Sequence, residues 1–553
     1  MPLWALAIAA VPLAWLFPNH YYPWLSAWQE GPVLALTALA MMGLTRPARV
    51  SWPWVAALTA ATISVGAQWA VGQIAFGGDA LMVLIYLAAF AAALALGSAL
   101  PEASTGGRSQ ALEAMAVGVV FAVLASVGIA LVQWTSALSL GIYGAELPRG
   151  FRPYANLAQP NHLCTAAFIG LCCLAVLHET ARLGRGPFRV AATFVVFGMV
   201  MSGSRTGWLQ MGMLVLLALA MRRRVLSRLR WQDLLALVLF YGIATADWPT
   251  LNDALLLSGG RGLTEQIDGS GRWPLIVALL DAAGREPLWG YGWQQVVMAQ
   301  QAVALDHAPI QRHFEHSHNI VLDLVLWAGI PIGGFIVAMA TWAVVRQLRA
   351  TVDARALWLV AGALGVVTHG MVEFPLEYAY FLVPTGLMLG AAHALSRPQD
   401  GWSCPPRALR VGAGLGLVLI GAVAIEYLQA EQNHRMLRLE TARIGTQGIE
   451  TPAPGLRLLT QLEGFLSFAR TEARPDMAAA DIEQMKRVSM RFAYPPAMFR
   501  YALAAGLNGD PTGAQLTLGR LCRMHVTPRC DEARDAWQLL QVRYPELAAV
   551  RLP

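Results

Sequence analysis

Charge is scarce in this chain. Only 13% of its 553 residues are charged, and lysine is almost absent, so the basic charge is nearly all arginine. A soluble protein of this length carries about twice that charged fraction. With 56% hydrophobic residues and a mean hydropathy of +0.49, lipid rather than water solvates much of the surface. The net charge of +6 does not mark a nucleic-acid partner, because the arginines sit in short loops between apolar segments, which is a topology signal. No cleavable signal peptide is expected either: the N-terminal apolar run has no basic start and no clear cleavage site, and reads as a retained first helix. Metal-ligand company is lacking for Cys164, Cys172 and Cys173, which share one apolar segment, and for Cys404 in a basic loop. The remaining two cysteines, Cys522 and Cys530, flank RMHVTPR. They form a disulfide if that region is extracytoplasmic, and otherwise stand as two thiols in a helical domain.

What is present is a long series of apolar runs. A bilayer-spanning helix needs roughly 20 mostly apolar residues. About thirteen candidates fit, near 3–18, 31–45, 53–72, 79–100, 113–138, 161–178, 187–203, 205–221, 232–246, 319–345, 356–372, 377–395 and 408–428. The fold class is therefore all-α and polytopic. Arginines 46 and 49; 108; 182, 185 and 189; 222, 223, 224, 228 and 230; 346, 349 and 355; and 397, 407 and 410 occupy alternate connections. Positive loops stay in the cytoplasm, so the other connections face out and the C-terminal region lies outside. The expected organisation is a membrane domain over 1–429, with a large outward loop at 247–317, followed by a helical domain over 430–553. In that tail MFRYALAAGLNGDPTGAQLTLGRLCRMH and CDEARDAWQLLQVRYPELAAV read as helix pairs, of tetratricopeptide-like type without a clean period.

Polar stretches recur at the outward ends of the spans. RGFRPYANLAQPNH (149–162) brings Arg149, Arg152, Tyr154, Asn156, Gln159, Asn161 and His162 into one loop. SGSRTGW (202–208) places Arg205 at the tip of a tight helical hairpin. A guanidinium binds phosphate through a planar, bidentate fork and keeps its charge; the bland alternative is a snorkelling arginine at a span end. In GSGRWPLIVALLDAAGREPLWGYGW (269–293), Arg272 opens an amphipathic helix able to rest on the membrane surface. HFEHSHNIVLDLVLW (313–327) sets His313, His316, His318 and Asn319 where a span begins, with Asn319 and Asp323 spaced to share a helix face. HGMVEFPLEYAYF (369–381) carries Glu373, Glu377, Tyr378 and Tyr380 across the same boundary, and acidic residues at membrane depth usually face a protein interior or cavity.

The histidines lack a cysteine or carboxylate at catalytic-zinc spacing, so a neutral imidazole acting as general base is the better reading and no metal or cofactor is expected. Arginines for a diphosphate, a histidine for proton removal and access from lipid suggest one reaction. A lipid diphosphate donor enters from the bilayer, an acceptor hydroxyl comes from outside, His318 takes its proton, and Arg205 and Arg272 stabilise the departing diphosphate.

RPYANLAQPNH, SGSR, the GR-W helix with its P-L-W-G-Y-G turn, HSHN and MVEFPLEYAYF together resemble bacterial O-oligosaccharyltransferases of the PglL type, within the superfamily of O-antigen ligases and Wzy polymerases. The resemblance runs over roughly 150–395, with weaker support from the tail. It implies a GT-C-like fold in the bacterial inner membrane with the active site facing the periplasm. It also implies an undecaprenyl-diphosphate-linked glycan donor and transfer to Ser or Thr of periplasmic proteins such as pilins. It maps the essential histidine of HxHN to His318, with His316 as the rival, and the phosphate-binding arginine of SGSR to Arg205. Arg272 matches the arginine at the head of the loop helix. Glu373, Tyr378 and Tyr380 match the last motif, with less defined roles. An O-antigen ligase acting on lipid A core and a Wzy-type polymerase share this chemistry and differ in acceptor. A transporter fits the number of spans, but transporters bind near the bilayer midplane and often contain repeats, and no paired halves are seen. A scaffold for cell-surface assembly rests on the helical tail alone.

Overall fold

The computed structural model describes residues 3–101, 109–148, 150–257, 272–442 and 452–553. Arg108, Arg149 and the stretch 258–271 of the large loop lie outside the described residues.

Each of the thirteen apolar segments is helical. In chain order these are α1 (Leu3–Ala10, continued by a 3-10 turn Val11–Leu16), α2 (Ala27–Met42), α3 (Trp52–Ala70), α4 (Gly77–Ala99), α5 (Gln110–Thr135), α6 (Pro160–Glu179), α7 (Arg185–Met201), α8 (Arg205–Met221) and α9 (Trp231–Ala246). A short α10 (Trp248–Ala254) follows, then α11 (Arg272–Arg285) and α12 (Val296–Val303), then α13 (Ile320–Ala350), α14 (Ala354–Gly370), α15 (Ala379–Ser396) and α16 (Pro406–Thr441). Among the described residues, six of these, α4, α5, α6, α13, α15 and α16, are long and apolar enough to cross a membrane, and α9 with α10, bent by 55°, adds a seventh if the bent pair counts as one span. The other apolar runs form helices that fall short of that measure; Pro12, for instance, turns the end of the first into a 3-10 turn. The tail folds as α17 (Thr460–Arg470), α18 (Ala479–Arg491), α19 (Pro495–Leu507), α20 (Pro511–Met524) and α21 (Thr527–Arg543). The chain groups into two compact units, one of residues 1–58, 86–268 and 339–422 and one of 59–85, 269–338 and 423–553.

In the first unit α6 is the axis, with nine-tenths of its apolar window buried. Small residues let its neighbours approach: a Cβ on Gly170 would meet Val123 at 2.7 Å, and one on Gly365 would meet the Phe168 ring at 2.3 Å. Such close helix packing replaces a hydrophobic driving force inside lipid. The basic connections meet one another at one end of this unit. Strands β1 (Ala48–Val50) and β2 (Trp402–Cys404) pair antiparallel, joining the connection after α2 to that after α15. Arg182 bonds Glu113 at 2.5 Å, Arg185 and Arg189 share Asp233, and Arg346 bonds Asp400 at 2.7 Å. Trp358 at the head of α14 donates to Glu179 at the end of α6. Among the described residues, these contacts bring the arginine-bearing connections together.

In the second unit the tail helices enclose a core with Phe76, Phe468, Met485, Val488, Tyr501, Leu518 and Trp537. A buried ion pair ties Arg491 to Asp79 at the head of α4, with bonds of 3.0 and 3.1 Å. The Asn508-Gly509-Asp510-Pro511 break falls between α19 and α20, where the Asp510 carboxylate accepts the Gly513 N–H at 2.8 Å. The last tail segment is not a helix pair as expected: α21 is followed only by a 3-10 turn, Pro545–Ala549, because Pro545 stops the helix. Cys522 and Cys530 form a disulfide, deciding between the two readings of that spacing. Helix α13 breaks at Gly329 (φ 75°, ψ 168°), just before Pro331. The broken ladder is completed by the P-L-W-G-Y-G turn: Tyr291 and Gly292 donate to the carbonyls of Leu326 and Trp327, and Ile330 donates to that of Pro287. Only glycine fits at 329, since a Cβ there would lie 2.2 Å from the Leu288 carbonyl oxygen. An interrupted membrane helix is tolerated where neighbouring groups satisfy the freed backbone in this way.

Candidate functional site

At the end of the first unit opposite the basic connections, three sequence motifs are stitched together. The SGSR turn follows from its residues. Ser202 Oγ donates to the Met199 carbonyl at 2.7 Å and ends α7. Gly203 adopts φ +53°, and a Cβ there would sit 3.1 Å from Arg152 Cδ. Ser204 caps α8, accepting from the Thr206 N–H at 3.2 Å. Arg152 Nη1 donates to the carbonyls of Ser202 and Gly203 at 3.1 and 3.0 Å, so this arginine braces the turn. Arg205 is then the first residue of α8 and half-buried. A helix N-terminus presents N–H groups and a positive dipole end to an anion, and the guanidinium adds a full charge.

Ser204 Oγ also donates to Asn161 Oδ1 at 2.7 Å, and Asn161 Nδ2 donates to Glu373 Oε1 at 3.4 Å. SGSR, QPNH and MVEF thereby form one string. Gln159 caps α6 by accepting the His162 N–H at 2.8 Å, with Pro160 at the first helical position. His162 is buried; its Nδ1 lies 3.0 Å from the Tyr380 hydroxyl, with the Tyr378 ring 4.8 Å away. Tyr380 is buried too, its carbonyl held by Trp15 Nε1, so it supports the site from within. Asn156 is a buried hub for backbone: its amide donates to the carbonyls of Leu16 and Tyr143 and accepts from Ala145 N–H. The Tyr154 hydroxyl donates to the Glu146 carbonyl within its own loop.

Two groups in this unit escaped the sequence reading. Glu30 is buried in α2, where its carboxylate accepts from the Ala379 N–H at 2.7 Å and from the Ser26 and Tyr86 hydroxyls. It caps α15 from a distance and so fixes the end of the MVEFPLEYAYF segment. His369 Nδ1 lies 2.9 Å from Thr165 Oγ1, which accepts from Gln210 Nε2 at 2.9 Å. The available signal was a lone polar residue within an apolar run, and a sequence does not name such a residue's partner.

The second unit holds the histidine loop. The Asp323 carboxylate, fully buried one turn into α13, accepts the Ser317 N–H at 2.7 Å. Ser317 Oγ donates to the Asn319 carbonyl at 2.9 Å, and Asn319 Oδ1 accepts from the N–H groups of Val321 and Leu322 at 3.1 Å. Asn319 is thus the cap of α13. Between them His318 sits at φ +60°, half-buried, with the Phe314 ring edge-on at 5.5 Å. Left-handed backbone is uncommon outside glycine and clusters where the surroundings impose it. Gln300 of α12 holds the loop through the Arg312 carbonyl (2.8 Å) and the Phe314 N–H (2.9 Å). His313 is edge-on to Tyr494 at 5.2 Å and lies 5.3 Å from the His525 ring. His316 is half-buried on the same loop, and Arg272 is half-buried at the first described turn of α11.

Residues 190–337, which include SGSR and HSHN, match a family model described as O-antigen ligase. Residues 356–540, from α14 through the tail, match a model described as virulence factor membrane-bound polymerase, C-terminal. Through both matches the chain is similar to the O-antigen ligase superfamily. It is 27% identical to the general O-oligosaccharyltransferase of Acinetobacter baylyi over 532 residues, 94% of this chain and 92% of the relative. It is 29% identical to the ComP-specific O-oligosaccharyltransferase of the same organism over 243 residues, 43% of each. The likeness reaches beyond the 150–395 stretch that carries the motifs, and it makes the chain a glycosyltransferase.

Proposed function

We propose that this enzyme transfers a glycan en bloc from an undecaprenyl-diphosphate-linked donor to Ser or Thr hydroxyls of periplasmic proteins such as pilins. The observation that carries the reading is the Arg152-braced SGSR turn, which sets Arg205 at the head of α8 and links it through Ser204 and Asn161 to Glu373. The protein lies in the bacterial inner membrane with this end toward the periplasm. His318, with His316 as the rival, takes the proton from the acceptor hydroxyl. The acceptor oxygen bonds to the anomeric carbon as the bond from that carbon to the diphosphate breaks. Arg205 and Arg272 hold the two phosphates as charge collects on the leaving group. Tyr378 borders the donor, while Glu373 orients Asn161.

The test is transfer by the purified full-length protein, given a polyprenyl-diphosphate glycan and either a pilin-like protein or lipid A core. Modification of the protein acceptor, lost in Arg205→Lys because an ammonium lacks the fork, supports the reading. Transfer to lipid A core alone makes the protein a ligase, and chain extension of the glycan makes it a polymerase.

A further inference from the structure

The histidine loop is gripped by the tail. The Arg523 carbonyl, one residue past Cys522, accepts the N–H groups of both Ile310 (3.1 Å) and Gln311 (3.2 Å). Gln311 Nε2 reaches Thr527 Oγ1 at 3.5 Å. His525 Nε2 donates to the Ala493 carbonyl (2.8 Å), and its ring lies 5.3 Å from that of His313. These residues belong to one hairpin, the end of α20 and the start of α21, closed by the Cys522–Cys530 disulfide. Below it Leu521 and Met524 share a core with Val297 and Ala304 at α12, the helix whose Gln300 brackets the other side of the loop. Between α12 and α13 the residues 304–319 contain no helix, so few backbone bonds of their own hold them in place.

We infer that the disulfide-closed hairpin 521–530 is a clamp for the histidine loop, and that Cys522, Cys530 and His525 are positioning residues for the reaction at His318. This rests on the role proposed for His318. A base must sit within hydrogen-bond reach of its proton, and an error near 1 Å in placement costs about 10²-fold in rate. The hairpin supplies a rigid support that the loop lacks. The tail then acts inside the catalytic step and not only in acceptor docking.

The test compares the wild-type full-length chain with Cys522→Ser/Cys530→Ser and, separately, with His525→Phe. Glycan transfer and amide hydrogen exchange are both followed. The clamp predicts exchange at least tenfold faster across 310–314, unchanged exchange across 497–507, a kcat at least fivefold lower and KM values within twofold. Wild-type kcat in both variants overturns it. So does exchange that rises equally at 497–507, which would mean general loosening of the tail. A wild-type chain without any transfer defeats the glycosyltransferase reading instead. Exchange alone then decides the clamp, and unchanged exchange at 310–314 overturns it.

Discussion

The Ser317 N–H donates to the Asp323 carboxylate at 2.7 Å across a six-residue separation, closing the backbone around His318. Asp323 is fully buried, so nothing else replaces the acceptor when it is removed. A hydrogen bond to a charged group contributes roughly 1.5–3 kcal/mol. Asp323→Ala is expected to lower kcat by at least tenfold, and Asp323→Asn, which keeps an acceptor oxygen, to lose less. Equal rates for the two variants would remove this bond from the site.

His318→Gly separates folding from chemistry. At φ +60° a side chain strains the backbone by about 1 kcal/mol, which glycine avoids. The variant should insert and melt no earlier than the wild type while losing transfer altogether. Retained transfer would hand the base to His316 or dispense with it.

Asp79 and Arg491 form the buried ion pair of the second unit, with side chains 6% and 13% exposed. Removing one partner strands a charge and costs about 3–5 kcal/mol. Asp79→Ala should clearly lower the thermal midpoint of the purified full-length protein. Glu532→Ala, which breaks the exposed Arg529 pair, should leave the midpoint nearly unchanged.

Much of the fold was legible in the sequence because lipid imposes a simple rule. Every apolar run is a helix, and the parity of the arginine loops reappears in the strand pairing of Ala48–Val50 with Trp402–Cys404. The SGSR and HSHN turns were legible as motifs, since glycine at a positive φ and a capping asparagine act locally. What escaped depends on distant partners. Glu30 caps a helix 349 residues away, and Gln68 donates to the carbonyls of Trp289 and Trp327. The Gly329 break makes sense only with the turn at 287–292 that completes it. The grouping of 59–85 with the tail is likewise a tertiary fact.

Acid should loosen the tail. Burial pushes His525 down to about 4, with His313 and Arg529 adding to the shift, against about 6.5 in an unfolded chain. Between these values the unfolded state binds more protons, so this contribution is complete above about pH 6.5 and is lost as pH falls toward 4. Burial lowers His313 as well, which acts in the same direction. The thermal midpoint should fall from pH 7 to pH 5, and His525→Phe should flatten that slope. An unchanged slope would show that His525 does not titrate with unfolding.

Sidedness is the most direct measurement. In a Cys404→Ser background, single cysteines are placed at Phe151, Glu315 and Arg223, all exposed, and intact spheroplasts are treated with a membrane-impermeant maleimide. Labelling of the cysteines at 151 and 315 without lysis, and of that at 223 only after lysis, is the expected result. Labelling of the cysteine at 223 in intact cells, or of 151 and 315 from opposite sides, would contradict a periplasmic glycan-transfer site.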